Sequence, residues 1–286
     1  MKNDEIVVLF SGGTDSTLTA ALMAKEYRKV HLVTYDRFGF FSINNSGLNV
    51  EKLKNKFGKD KFTHQIIDIN SLTKYVFYER YFRNLIKYRF FLLSNCGLCK
   101  LAMHIRTIIF CLKNGVANAC DGANKAMDIF PVQMKIVIDE IKNMYSRFGV
   151  NFSTPVFNYE KHHGLEFTDR LNLEKTLSDE KKEDDPDAEK QKNTAGYKLF
   201  EMGLMPAENV KGTKLDKKMQ ARCFQLILFN FFVRWYYMYH RSYQQYKQAT
   251  FEFFKDKINF FTQLLEDYQK KKEKSKLYKL IKPKIG

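Results

Sequence analysis

Apolar positions along this chain fall into two alternating patterns, short unbroken runs and longer stretches with helical spacing. Ile6-Val7-Val8-Leu9-Phe10 is a compact apolar run of the kind that fills a buried strand, and Leu18-Thr19-Ala20-Ala21-Leu22-Met23-Ala24 reads as a helix. A second strand over 30–36 ends in Asp36, a short helix covers 49–57 and a third strand covers 62–69. An aromatic-rich helix then runs from 72 to about 93, followed by a helix over 99–114 and a strand over 116–121. A helix over 132–148 and a last strand over 151–157 complete the series. Strands alternating with helices predict an α/β fold, a Rossmann-like three-layer sandwich with a mostly parallel sheet. In such sheets a ligand sits at the carboxyl ends of the strands. There the segment after Phe10, Asp36 and the Asp121-Gly122 turn converge.

The alternation stops after about residue 172. Residues 174–192 are almost wholly charged, with too little apolar surface to offset the entropy of ordering them, and read as a mobile surface insert. From Met219 onward the pattern is helical, and 268–284 is strongly basic with scattered tyrosines. The expected organisation is an α/β domain over 1–172, a charged insert over 173–195 and an all-helical C-terminal extension over 196–286.

The chemistry concentrates in Ser11-Gly12-Gly13-Thr14-Asp15-Ser16, between the first strand and the first helix. Glycines let the backbone approach an anion, and the free N–H groups of a helix's first turn point at it. Ser11 and Ser16 can donate to phosphate oxygens, and Asp15 is a hard oxygen ligand suited to Mg²⁺. The same residues also describe a plain Gly-Ser turn capped by Asp15. No Walker run, with its Gly-Lys-Ser/Thr ending, occurs.

Ser-Gly-Gly-Thr-Asp-Ser resembles the signature of the PP-loop, or N-type ATP pyrophosphatase, superfamily. Its members include GMP synthetase, argininosuccinate synthetase, 7-cyano-7-deazaguanine synthase and several tRNA-thiolating enzymes. The resemblance implies ATP and Mg²⁺ as cofactors and cleavage between the α- and β-phosphates. A substrate oxygen attacks the α-phosphate, pyrophosphate leaves, and a sulfur or nitrogen nucleophile displaces AMP. Ser11, Asp15 and Ser16 are then catalytic. Gly12, Gly13 and Thr14 complete the pyrophosphate cradle, and Tyr35, Asp36 and Gly122 border the nucleotide.

Cys96-Gly97-Leu98-Cys99-Lys100 starts a helix, and Cys223 lies far downstream. A CxxC pair alone is compatible with a redox dithiol, half a metal site or chance. CxxC with a distant Cys resembles the tRNA 2-thiocytidine and 2-thiouridine branch, where such cysteines hold a [4Fe–4S] cluster; Zn²⁺ is the other candidate. That branch commonly has Gly-His-Asn where this chain has Gly122-Ala123-Asn124. Cys111 and Cys120 read as small buried hydrophobes. A 7-cyano-7-deazaguanine synthase resembles this chain in the first loop, but carries four C-terminal cysteines where only Cys223 stands here. The expected activity is tRNA thiolation or sulfur transfer, with an amide- or nitrile-forming ligase as the alternative and a non-catalytic nucleotide-binding regulator as the second.

Weaker candidates are His162-His163 with Glu160 and Glu166 as a zinc site, Asp128 near Mg²⁺, and a basic run of Lys211, Lys214, Lys217, Lys218 and Arg222 for RNA phosphates. Net charge of +16 favours a polyanion such as RNA, although a basic proteome gives the same balance. The substrate is a small molecule or tRNA, and a homodimer is left open. No segment reaches the uninterrupted apolar length of a membrane span, and Met-Lys-Asn-Asp-Glu leads straight into a strand. A cytoplasmic protein without disulfides is expected.

Overall fold

A computed structural model describes residues 1–88, 96–160, 192–207, 210 and 213–282. The charged stretch up to 191, His162, His163, Glu166, Lys211 and the end of the aromatic helix beyond 88 lie outside the described residues.

Five parallel strands form the sheet: β1 (Lys2–Leu9), β2 (Lys29–Asp36), β4 (Phe62–Asp68), β5 (Val116–Asp121) and β6 (Asn151–Ser153). Their order is β4-β2-β1-β5-β6. The chain moves outward from β1 in one direction and then returns to build on its other side. Strand order therefore reverses between β1 and β5, and the crevice above that point is where ligands bind in this architecture. The expected Rossmann-like α/β fold is the one observed.

Side-chain alternation along β1 explains the two cores. Val7 and Leu9 point to one face, with Val33 and Tyr35 of β2. Ile6, Val8 and Phe10 point to the other, with Val30 and Leu32. The second face is covered by α1 (Thr14–Glu26) and α2 (Gly47–Phe57), joined by α7 (Ala195–Glu201). The first face is covered by α3 (Asn70–Tyr78), α5 (Leu98–Asn114) and α6 (Lys135–Ser146). The C-terminal helix α10 (Tyr243–Lys271) packs on that same face: Phe253, Phe254, Ile258, Phe261 and Leu265 share the core with Ile105, Ile141 and Val76.

Three details differ from the expected pattern. The aromatic helix breaks at Arg80, whose φ of 51° is left-handed, and resumes as α4 (Tyr81–Tyr88). The last strand stops at Ser153, because Pro155 cannot donate a ladder hydrogen bond. The C-terminal part is not wholly helical. After α8 (Lys214–Met219), β7 (Arg222–Cys223) pairs antiparallel with β3 (Phe40–Phe41), matching Phe40 to Cys223 and Phe41 to Arg222. Next come α9 (Gln225–Phe229), a π-helical segment over Asn230–Tyr237 and the short turn Met238–His240, then α10 and finally α11 (Lys276–Ile281).

Phe261 is fully buried and meets Tyr75 of α3 edge-on at 5.9 Å. Phe261→Ala is expected to cost about 3–5 kcal/mol. Because its neighbours belong to both halves of the chain, urea unfolding should shift as one transition seen by circular dichroism and tryptophan emission together. A separate early transition confined to helical signal would show that α10 unfolds by itself.

Candidate active site

A cavity of about 600 Å³ opens above the β1/β5 reversal point. Its floor is the loop after β1. Gly12 adopts φ +82°, a conformation open to glycine, and it lies so close to other backbone that a Cβ would stand 2.2 Å from the Met219 carbonyl oxygen. Gly13 caps α1 without any side-chain cap hydrogen bond, so Asp15 is not the cap: it is the second residue of the helix. The plain capped-turn reading therefore fails. Ser11 Oγ and Ser16 Oγ lie 3.1 Å apart, Gly13 N donates to Ser11 Oγ at 3.3 Å, and Ser16 Oγ donates to the Gly13 carbonyl at 3.0 Å. Both hydroxyls are thus held at the start of a 13-residue helix whose dipole favours an anion. Asn49 Nδ2 fixes the loop from below by donating to the Gly12 carbonyl at 2.7 Å.

The turn after β5 completes the crevice. A Cβ on Gly122 would come within 2.8 Å of Ser16 N, so only glycine lets this turn lie against the first turn of α1. Asp121 is buried and takes an ion pair from Lys100 Nζ at 2.6 Å. Burial works to raise the Asp121 pKa, yet the Lys100 ammonium outweighs it and holds the carboxyl below its usual range. His104 lies 3.7 Å from the same carboxylate, but burial pushes its pKa down to about 3. It is a neutral imidazole, and its Nδ1 meets Tyr145 OH at 3.1 Å. Asn124 reaches Asp15 Oδ1 with Nδ2 at 3.5 Å. Asp15 lines the cavity beside the two serines, and an oxygen ligand there fits Mg²⁺.

The nucleotide-bordering residues fare differently. Tyr35 lines the cavity, but its hydroxyl is committed to Thr107 Oγ1 at 2.6 Å in the core, and burial raises its pKa. Asp36 does not line the cavity. The following residue, Arg37, lines it instead. Asp128 is exposed and also lies outside the lining, whereas Glu160 is part of it.

Cys96, Cys99 and Cys223 all reach this one cavity, on the wall opposite the loop. The buried Arg37 sits among them: Nη2 donates to Cys223 Sγ at 3.0 Å, Nη1 donates to the Phe38 carbonyl at 2.7 Å and to Gln225 Oε1, and the guanidinium lies 3.8 Å over the Phe40 ring. Burial raises the Cys96 pKa well above its ordinary value, helped by Cys99 and Cys223 and opposed by Arg37. Burial likewise raises that of Cys99. The expected convergence of the three thiols is found. A metal centre is not, since among the described residues no group of three or more His, Cys, Asp or Glu side chains is arranged to hold an ion. One of the three sulfurs, Cys223 Sγ, instead accepts a hydrogen bond from the Arg37 guanidinium. Cys111 and Cys120 are fully buried away from the cavity.

Sequence reasoning missed Arg37, His104 and Asn49. None belongs to a spaced motif; the one available signal for Arg37 was its position just past the carboxyl end of a central strand.

Residues 5–78 match the family model of the queuosine biosynthesis protein QueC. No curated protein matches the chain. Among solved structures, a predicted subunit of tRNA methyltransferase from Methanocaldococcus jannaschii aligns over 77% of this chain and 96% of its own, at 19% identity and a TM-score of 0.36. That likeness is too distant to carry an argument. The matched segment contains the Ser11–Ser16 loop, whose residues resemble a PP-loop signature. Among the described residues, no helix is long and apolar enough to cross a membrane.

The state of His104 is directly measurable. Its imidazole signal in NMR is expected to stay neutral from pH 8 down to pH 5. An unfolded-state His takes up its proton near pH 6.5 and the folded one only near 3. Stability from this group is therefore full above about pH 6.5 and falls as acid is added toward 3. A midpoint near 6.5 in the folded protein would show an imidazolium paired with Asp121 instead.

Proposed function

We propose that this chain is an adenylating enzyme that cleaves ATP to AMP and pyrophosphate while activating a carbonyl oxygen of a nucleobase or related heterocycle. The observation that carries the reading is the Ser11–Ser16 loop, which lacks a Walker lysine and sets two hydroxyls and a carboxylate at the start of α1, above the sheet's reversal point.

The acceptor oxygen forms a bond to the α-phosphorus, and the bond from that phosphorus to the bridging oxygen breaks. Its electron pair leaves with pyrophosphate. Ser11, Gly12, Gly13, Thr14 and Ser16 hold the departing group with donors fixed before the reaction, so growing charge meets no reorganisation cost. Asp15 would hold Mg²⁺, which would supply neutralising charge to the departing pyrophosphate. Asn124, bonded to Asp15, keeps that carboxylate aimed. Gly122 leaves the passage between the loop and the β5 turn unobstructed. A second nucleophile then attacks the activated carbon and AMP departs with the former acceptor oxygen.

Two observations bear on that nucleophile. The QueC match over 5–78 favours nitrogen, as in a 7-cyano-7-deazaguanine synthase-like ligase. The three thiols on the cavity wall favour sulfur. The reading common to both is adenylation, with the acceptor lying between the loop and the Arg37 wall.

The experiment is release of AMP and pyrophosphate from α-labelled ATP in the presence of heterocyclic acceptors, 7-carboxy-7-deazaguanine and unmodified tRNA among them. Ser11→Ala and Asp15→Ala are each expected to lower release by 100-fold or more, on the order of one lost transition-state donor or metal ligand, with an unchanged circular dichroism spectrum. Stoichiometric ATP binding without α–β cleavage for any acceptor would favour the regulatory reading, and full activity in both variants would show that the loop is not the reactive site.

A further inference from the structure

Between Asp216 and Glu252 the chain has no carboxylate side chain, yet it carries Lys217, Lys218, Arg222, Arg234, Arg241 and Lys247. The helical segment in the middle of this stretch leaves a row of large side chains in solvent at four-residue spacing. Ile227 is 61% exposed, Phe231 56%, Trp235 55% and Tyr239 82%. Phe231 and Trp235 have their rings 6.3 Å apart, and Tyr239 lies 5.2 Å from His240. Val233 and Phe229, on the opposite side, are buried in the core. The exposed row is therefore the outer face of an anchored helix.

The row leads to the cavity. Just before it, half-exposed Phe224 is tied by its N–H to the Gly39 carbonyl at 2.9 Å, and it follows Cys223, which lines the cavity. Beside it, exposed Phe41 pairs with Arg222 across the short β3–β7 ladder.

We propose that this face binds a single-stranded segment of RNA. Aromatic faces spaced along a helix stack successive bases regardless of sequence, and interleaved Lys and Arg neutralise the phosphates between them. A stretch cleared of every carboxylate suits a polyanion and gives no complement to a basic protein surface. RNA offers unpaired bases in its loops and ends, where protein recognition concentrates. The row's continuity with the cavity makes it the docking face of a polymeric acceptor. That placement rests on the adenylation reading, whereas the binding itself does not.

Trp235 is the chain's single tryptophan, so the surface carries its own reporter. The full-length protein, without ATP, is titrated with a single-stranded RNA of roughly 12 nucleotides, in the range one such groove covers. Saturable quenching of Trp235 emission is expected, weakening as salt rises. In the doubly exposed variant Phe231→Ala/Tyr239→Ala, affinity should fall by about tenfold or more. Trp235→Phe should keep binding when followed by anisotropy of labelled RNA, and an unchanged circular dichroism spectrum of the Ala variant shows that its loss is not misfolding. Four results would overturn the proposal: no quenching; equal affinity in the Ala variant; heparin binding that protects Trp235 as RNA does; or a dimer by sedimentation whose Trp235 is already shielded from acrylamide, since a second copy would then own the face. Absence of ATP cleavage would leave a positive binding result standing.

Discussion

Everything in the site depends on how closely backbone can approach backbone around one loop. The Gly12 position is boxed in by the Met219 carbonyl and the Ser46 Cα, and the Gly122 turn rests on the amide of Ser16. Neither place has room for a methyl group. The loop is consequently gripped from three directions: by the segment after β2, by the turn after β5 and by the end of α8. The grip holds Ser11, Asp15 and Ser16 in fixed relation without help from any bound group. Preorganisation of this kind makes a donor effective, because the loop does not have to reorder as charge develops.

Charge is distributed around the cavity with the same economy of space. Lys100 is neutralised by Asp121, which keeps an ammonium near the β5 turn without leaving an uncompensated buried carboxylate. Arg37 differs, being held by a sulfur, an amide oxygen, a carbonyl and an aromatic face. These partners satisfy most of its donors without cancelling its charge. The thiol wall is thus electropositive although burial keeps the Cys96 and Cys99 thiols protonated. An acceptor with a polarised or anionic oxygen is better suited to that wall than an added cation would be.

The strands and the loop were legible because their signals are local. An unbroken apolar run, a Gly-Gly turn and a helix-forming segment each declare themselves within ten residues, and the Asp121-Gly122 turn follows from the same logic one strand later. The convergence of Cys96, Cys99 and Cys223 was legible only through resemblance, and Arg37, which donates to Cys223, is marked by no motif. At the end of β2, Thr34, Tyr35 and Arg37 line the cavity and Asp36 does not, a distinction that no local signal carries. The β3–β7 pairing could not be read at all. Each partner is two residues long, and they lie some 180 positions apart, so hydrophobic periodicity has nothing to report.

That long-range pairing has a temporal side. In a chain synthesised from its N-terminus, the phosphate loop emerges well before Met219 and Cys223, and its own strand and helix can form at once. The loop's neighbour Met219 and the wall residue Cys223 follow it by about 200 residues. Contacts so distant in sequence carry a high loop-closure cost and form late. The nascent protein therefore holds an open anion site until those residues arrive, and the pocket is enclosed only then.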